Sequence, residues 1–202
     1  MKKLLFLLLL PFTISAIGKI TVFTGPMFAK KSTNLIKLYN KYTAQQKLVT
    51  ALKPYIDTRT QGTIASHNGV HIPAHIINAM HEVREYCLAA EVVIVDEVQF
   101  FDEGIIDTLA VLRDLGKRVY VAGLDMDYRR NDFRITKHLL CLANTIVQLS
   151  SHCTYKNCNG IAHYTQRLVN GKPAPFDGDT IAIGGAESYQ PRCVFCYNEE
   201  RQ

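Results

Sequence analysis

Two short stretches carry residue types that together perform phosphate chemistry. The first is Gly25-Pro26-Met27-Phe28-Ala29-Lys30-Lys31-Ser32-Thr33. A glycine followed by a lysine and a hydroxyl residue is the pattern of a phosphate-binding loop. Its backbone N–H groups cradle the phosphates, Lys31 reaches the β- and γ-phosphates, and the Ser32 hydroxyl ligates Mg²⁺. The consensus G-x-x-x-x-G-K-[ST] is met at Gly25, Lys31 and Ser32, but Lys30 stands where the second glycine belongs. The second stretch is Asp96-Glu97-Val98-Gln99, which directly follows the apolar run Val92-Val93-Ile94-Val95. An acidic residue at the carboxyl end of a buried parallel strand faces the ligand crevice of such sheets. Beside a phosphate loop, Asp96 is placed to hold Mg²⁺ and Glu97 to act as a general base.

Four of the six cysteines form two pairs, Cys153-x₄-Cys158 and Cys193-x₂-Cys196. Paired spacings of this kind suit a tetrahedral thiolate site for one Zn²⁺, structural because no coordination position stays open. Residues 159–192 would then form a large loop closed at its base by the metal, which makes its conformation less costly to hold. Cys87 and Cys141 lie singly in apolar helical patterns and are expected as small core residues. His152 and His163 are expected on the surface, not as ligands. A disulfide framework is not expected of a chain with this much core-forming sequence.

The elements that must position these groups are legible in outline. Ile20-Thr21-Val22-Phe23 reads as the strand that feeds the loop, and Ser32 to about Ala44 places Leu35, Leu38, Tyr39 and Tyr42 at helical spacing. Leu48 to Leu52 reads as a second strand ended by Lys53-Pro54, and residues 55–78 as a loop and hairpin. His81 to Ala90 reads as a short helix. The four-residue run at Val92 is continuous and apolar, as expected of a strand buried on both faces. A helix through Ile105, Leu109 and Leu112 closes at Gly116, and Val119-Tyr120-Val121-Ala122 is the next strand. This alternation predicts an α/β domain over residues 18–150, a parallel sheet flanked by helices of the phosphate-loop NTPase kind. From residue 151 cysteine, glycine and proline dominate and helical patterns vanish, so residues 151–202 are expected as a small zinc-bound lobe.

Composition bounds the partners. With 202 residues, 48% hydrophobic and 20% charged, the chain has the make-up of one globular domain with at most a small appendage. A net charge of +5 suits nucleotide phosphates but falls short of the basic face of a nucleic-acid binder. Residues 1–17 carry Lys2-Lys3, the apolar run Leu4 to Leu10, and Ser15-Ala16. They read either as a secretory signal with a poor cleavage site, because Ile14 takes a small-residue position, or as a start placed upstream of a folded chain that begins near Gly18. An ATP-consuming chain belongs in the cytoplasm, which favours the upstream start; no membrane partner is expected.

The ordered motifs resemble one family. Beside the loop and Asp96-Glu97-Val98-Gln99-Phe100-Phe101, they are Lys53-Pro54…Asp57-Thr58-Arg59, Ser66-His67-Asn68-Gly69, Gly123-Leu124-Asp125-Met126-Asp127-Tyr128-Arg129, Thr165-Gln166-Arg167 and Ile183-Gly184-Gly185-Ala186-Glu187-Ser188-Tyr189. Together, over about residues 18–197, they are similar to cellular-type (type II) thymidine kinases. The resemblance implies transfer of the γ-phosphoryl group of ATP to the 5′-hydroxyl of thymidine or deoxyuridine, with Glu97 as catalytic base. It implies Mg²⁺ at Ser32 and Asp96, and Asp57, Arg59 and Gln99 among the nucleotide-binding positions with Gly25 to Thr33. Met27, Phe100, Leu124, Tyr128, Phe133 and Thr165 are implied as walls of the thymine and sugar pocket. Residues 168–190 match the family's lasso, in which Thr180, Ile181, Ala182, Ile183 and Gly184 offer backbone hydrogen bonds and Tyr189 covers the base. A homotetramer is implied as well. In the zinc site, four residues separate the first cysteine pair where the family usually has two.

Two other classes compete. One is a nucleoside- or nucleotide-binding protein whose altered loop has lost catalysis; the other is a nucleic-acid translocase fragment, against which stand the short chain and the lack of a basic stripe with interleaved aromatics. A lysine held in dihedrals that suit glycine costs roughly 1–3 kcal/mol, so Lys30 is expected to weaken the loop.

Overall fold

The computed structural model of the chain describes residues 17–199; the reading of residues 1–16 lies outside them. Strand β1 (Lys19–Thr24) enters the phosphate loop, and helix α1 (Lys31–Ala44) leaves it. Then follow β2 (Val49–Pro54), the short strands β3 (Thr63–Ala65), β4 (His71–Pro73) and β5 (His75–Ile77), and α2 (Met80–Cys87). Strand β6 (Val92–Val95) ends in a 3₁₀ turn over Val98–Phe100, followed by α3 (Gly104–Asp114), β7 (Arg118–Gly123), α4 (Arg134–Leu142) and β8 (Thr145–Gln148).

These strands form a six-stranded sheet in the order β5-β2-β6-β7-β1-β8, with every pairing parallel. Parallel strands put all their carboxyl ends on one edge, so the phosphate loop after β1, Asp96-Glu97 after β6 and Lys53-Pro54 at the end of β2 meet there. The continuous apolar run of β6 is buried on both faces. Val93 and Val95 pack with Ile20, Val22, Leu52, Val121 and the inner sides of α2, α3 and α4. Val92 and Ile94 pack with Phe23, Ala51 and Ala122 against Leu35 and Ile36 of α1 and Ile64 and Ile72 of the β3–β4 hairpin.

Beyond β8 come smaller sheets: β9 (Ser151–His152) with β10 (Ile161–Ala162), and β11 (Tyr164–Val169) between β12 (Lys172–Pro173) and β13 (Tyr189–Arg192), all antiparallel. Helix α5 (Val194–Glu199) closes the described chain. Among the described residues no helix is long and apolar enough to cross a membrane.

Several expectations shift. Residues 55–78 do contain the hairpin, β3 with β4, but they also supply β5, which joins the main sheet beside β2. Three residues are too few to show a period. The second helix spans Met80–Cys87, shorter than the pattern to Ala90. A helix does form in the cysteine-rich segment, because α5 begins directly at the second cysteine pair. Cys87 is a core residue, but Cys141 is exposed. His152 and His163 are both exposed.

Candidate functional site

One cavity of about 750 Å³ opens at the carboxyl edge of the sheet and extends under residues 180–189. Its floor begins with the loop. Lys30 adopts φ 63°, ψ 25°, a left-handed conformation, at the N-cap of α1, and no side chain caps that helix start. Uncapped N–H groups at a helix N-terminus suit an anion. Lys30 is exposed, whereas the Lys31 ammonium is buried and donates to the carbonyls of Gly25 (2.9 Å) and Pro26 (2.7 Å). Burial lowers the Lys31 pKa, and the charges of Glu97, Asp96 and Asp125 push back. At Gly25 φ is +134°, and a Cβ there would lie 2.1 Å from the Leu149 carbonyl oxygen.

The carboxylates face this lysine. Asp96 is pushed up to about 7, first by burial and then by the charge of Glu97, while the Ser32 hydroxyl donates to it. Glu97 also has a left-handed backbone (φ 50°), and its N–H donates to Asp96 Oδ1 at 3.0 Å. Its carboxylate receives Arg59 Nη2 at 2.5 Å and Gln99 Nε2 at 2.7 Å. Arg59 in turn donates through Nε to Asp57 Oδ1 at 2.6 Å, and Asp57 Oδ2 lies 3.2 Å from Lys53 Nζ. Burial alone would raise Asp57, but the Arg59 hydrogen bond and charge, then Lys53, hold it below the usual carboxylate range. Lys53, Asp57, Arg59 and Glu97 thus form a chain of alternating charge from β2 to the end of β6. Lys53 is 1% exposed and also donates to the Thr60 carbonyl and hydroxyl.

The other end of the cavity is apolar and aromatic. Phe100 and Phe133 meet edge to face with centroids 6.2 Å apart, and Leu124, Met27, Tyr128 and Thr165 complete the wall. The Thr165 hydroxyl accepts the Met27 N–H at 3.0 Å, which joins β11 to the loop. Residues 180–184 and Tyr189 form the roof. The segment that leads into this roof is fastened by Arg167 to the Asp179 carbonyl (2.6 Å) and by Tyr128 Oη to the Pro175 carbonyl (3.0 Å), and the roof itself by Tyr189 Oη to the Ala182 carbonyl (2.7 Å). Arg129, held on the Asp127 carboxylate, also reaches the Phe176 carbonyl and the Thr180 hydroxyl.

Of the residues the sequence singled out, Met27 to Thr33, Asp57, Arg59, Asp96, Glu97, Phe100, Leu124, Tyr128, Phe133, Thr165, Thr180 to Gly184 and Tyr189 line this cavity. Gly25, Pro26 and Gln99 do not. The first two stand behind the loop as acceptors for Lys31, and Gln99 lies beneath Glu97, tying it to the Leu124 N–H through Oε1 at 3.1 Å. Lys53, Asp127 and the hairpin turn Ser66-His67-Asn68 line the cavity without having been given a role. Their signal was available: Lys53 ends a buried strand on the same sheet edge as Asp96. His67 meets Phe28 of the loop with the rings tilted by 54° and their centroids 5.6 Å apart.

The four paired cysteines converge. Their sulfurs lie within 4.8 Å of one another, with Cys158 and Cys193 3.8 Å apart. A tetrahedral zinc with bonds of about 2.3 Å sets its sulfurs about 3.8 Å apart, so the cluster fits one Zn²⁺ and is too open for disulfides. Cys153 takes its place despite the longer spacing. The Cys196 backbone N–H pulls the Cys193 thiol down to about 7 and the Gly160 N–H donates to Cys158 Sγ at 3.3 Å, both favouring thiolates, whereas burial and the neighbouring sulfurs push the Cys196 thiol up.

A family model described as thymidine kinase matches residues 18–197. A thymidine kinase of Mesoplasma florum is 37% identical over 192 residues, covering 92% of this chain and 94% of the relative. Among solved structures, domain III of the Thermotoga maritima replication initiation protein DnaA matches 64% of this chain and 54% of its own, at 15% identity and a TM-score of 0.40. Bacteroides Pif1 bound to ssDNA matches 65% of this chain and 38% of its own, at 15% identity and a TM-score of 0.34. Likeness at that level carries no argument about this chain.

Two outcomes follow from the geometry. Lys30→Gly and Lys30→Ala both remove the exposed charge, but only the glycine relieves the left-handed backbone, so Lys30→Gly should be more stable than Lys30→Ala by about 1 kcal/mol. It should also have the lower KM for ATP; equal melting and equal KM would mean that the loop stores no strain there. For Asp96, an unfolded aspartate ionises near 4, so the folded state loses stability as pH rises from about 4 to 7. Asp96→Asn should therefore raise stability more at pH 8 than at pH 4 in urea melts without added Mg²⁺, while turnover collapses; an equal change at both pH values would mean that the Asp96 carboxyl is not shifted by its burial.

Proposed function

The chain belongs to the thymidine kinase family, and from that premise we propose the roles of its residues in an ATP-dependent phosphorylation of thymidine. The observation that carries the assignment is Glu97: a carboxylate at the junction of the phosphate loop and the aromatic pocket, fixed by Arg59 and Gln99. A nucleoside seated between Phe100, Phe133 and Tyr128, under residues 180–184, directs its 5′-hydroxyl toward Glu97. A flat apolar base matches such walls. The 5′-oxygen attacks the γ-phosphorus of ATP, its proton passes to Glu97, and the bond from phosphorus to the bridging oxygen breaks to release ADP. Positioning and charge neutralisation supply most of the acceleration in such transfers.

Lys31 and the N-terminus of α1 take the phosphates, and Arg59 stands beside the line of transfer. Ser32 and Asp96, already hydrogen-bonded to each other, would hold Mg²⁺, which neutralises charge on the phosphates. Zn²⁺ at Cys153, Cys158, Cys193 and Cys196 serves the lobe of residues 151–202, while residues 18–150 bind the nucleotide. We place the protein in the cytoplasm, where ATP is supplied, as a homotetramer without a nucleic-acid or membrane partner. A second reading, a nucleoside binder that has lost catalysis, has the left-handed Lys30 in its favour. It is separated by turnover: thymidine binding without phosphoryl transfer supports the binder.

Glu97→Gln keeps the acceptor for Arg59 and removes the base. It should lower thymidine-dependent ADP release by about 10²–10⁴ with the fold retained by circular dichroism; an undiminished rate would remove Glu97 from its role. Folded, zinc-loaded protein that transfers no phosphate to thymidine would overturn the kinase reading itself.

A further inference from the structure

The segment between β7 and α4 carries the pocket wall Tyr128, and the cysteine lobe grips that segment from behind. Tyr197 is fully buried, lies on α5 directly after the zinc-cluster residue Cys196, and donates its hydroxyl to the backbone carbonyl of Tyr128. Two residues further along the segment, Arg130 has a left-handed backbone (φ 69°). Its guanidinium stands over the rings of both Tyr197 (5.0 Å) and Tyr164 of β11 (5.5 Å), which lie 5.4 Å from each other. The Tyr128 side chain, on the opposite side of the same residue, faces the cavity and bonds the carbonyls of Pro175 and Gly178. Arg129 and Arg167 stand over its ring at 5.4 Å each.

We infer that Tyr197 is a positioning residue for the nucleoside pocket: by holding the backbone of Tyr128, it sets where the Tyr128 ring and the loop it fastens come to rest. The lobe therefore reaches the pocket by two routes, through the chain of the lasso itself and through the Tyr197–Tyr128 hydrogen bond with its Arg130 clamp. The second route begins one residue from a metal ligand, so the order of the cysteine cluster is transmitted to the pocket wall through α5. The buried carbonyl of Tyr128 needs a donor, and a tyrosine hydroxyl on a fixed helix supplies it in one orientation. The inference rests on the reading of this cavity as the nucleoside site.

Tyr197→Phe removes the hydroxyl and keeps the ring under Arg130. It should raise KM and calorimetric Kd for thymidine by about 3- to 30-fold, the scale of one buried hydrogen bond lost. KM for ATP should stay within about twofold, and the zinc content, read by elemental analysis, should be unchanged. If Tyr197→Phe does not fold, Arg130→Gln replaces it, since that variant keeps the hydroxyl and weakens only the clamp; the same rise, smaller, is expected. A folded variant with lowered melting temperature but wild-type thymidine Kd and KM would make Tyr197 a core residue only and overturn the inference. Wild-type protein that binds ATP but not thymidine would instead overturn the reading of the cavity.

Discussion

Two adjacent carboxylates must be held at the end of a strand that has no exposed face, and most of the structure answers to that constraint. Asp96 and Glu97 follow β6, which is buried by helices on one side and by α1 and the hairpin on the other. At the low effective dielectric of such a place, like charges this close cannot both stand uncompensated. Glu97 is met by Arg59 and Asp96 retains its proton to about 7. The cations arrive from both flanks of the sheet: Lys53 and Arg59 from β2 and the segment after it, Lys31 from the loop after β1. The strand order, with β2 beside β6 and β1 beyond β7, is what brings opposite charge to the carboxylates from two directions.

Much of this was legible because its signals are local. A loop with Gly25, Lys31 and Ser32, and a four-residue apolar run ending in two acids, each fix a conformation and a place on the sheet edge. What failed to show in the sequence depends on contacts between distant segments. Strand β5 has only three residues and exists because β2 offers it an edge. Gln99 reads as one more polar residue of a site motif, yet its amide is used on Glu97 and the Leu124 N–H. Cys141 follows Leu139 by two positions on α4, so the helical turn that buries Leu139 carries Cys141 to the opposite side. Lys53 lies in a motif that resemblance quotes, but only burial of its ammonium beside Asp57 gives it a part in holding Arg59.

The aromatic end of the cavity obeys a different rule. There the walls come mostly from the sheet domain and the roof from the cysteine lobe, and most fastenings of the roof segment, from either part, run from a side chain to a backbone carbonyl. Backbone carbonyls as acceptors leave the identity of the roof residues free while fixing their path. Arg129, Arg167 and two tyrosines set the path between Pro175 and Ala182 in this way, whereas Gly185 is held locally, its N–H donating to Glu187 Oε1 at 2.6 Å and its carbonyl accepting the Ser188 and Tyr189 N–H groups.

The left-handed residues show how the site tolerates an imperfect motif. Phe28, Lys30 and Glu97 all have positive φ without being glycine, and such conformations persist where surrounding contacts over-determine them. At Lys30 those contacts are visible: its carbonyl accepts both the backbone N–H and the side-chain amide of Asn34 at 3.1 and 2.9 Å, and Lys31 is anchored on the far side of the loop. The loop path is therefore dictated by its neighbours and not by the residue at position 30. Because the Lys30 side chain is exposed, the departure from glycine carries the intrinsic cost of the dihedral and no clash with the fold. The consensus glycine at this position is thus a way of lowering the energy of a path that this chain adopts with lysine in place.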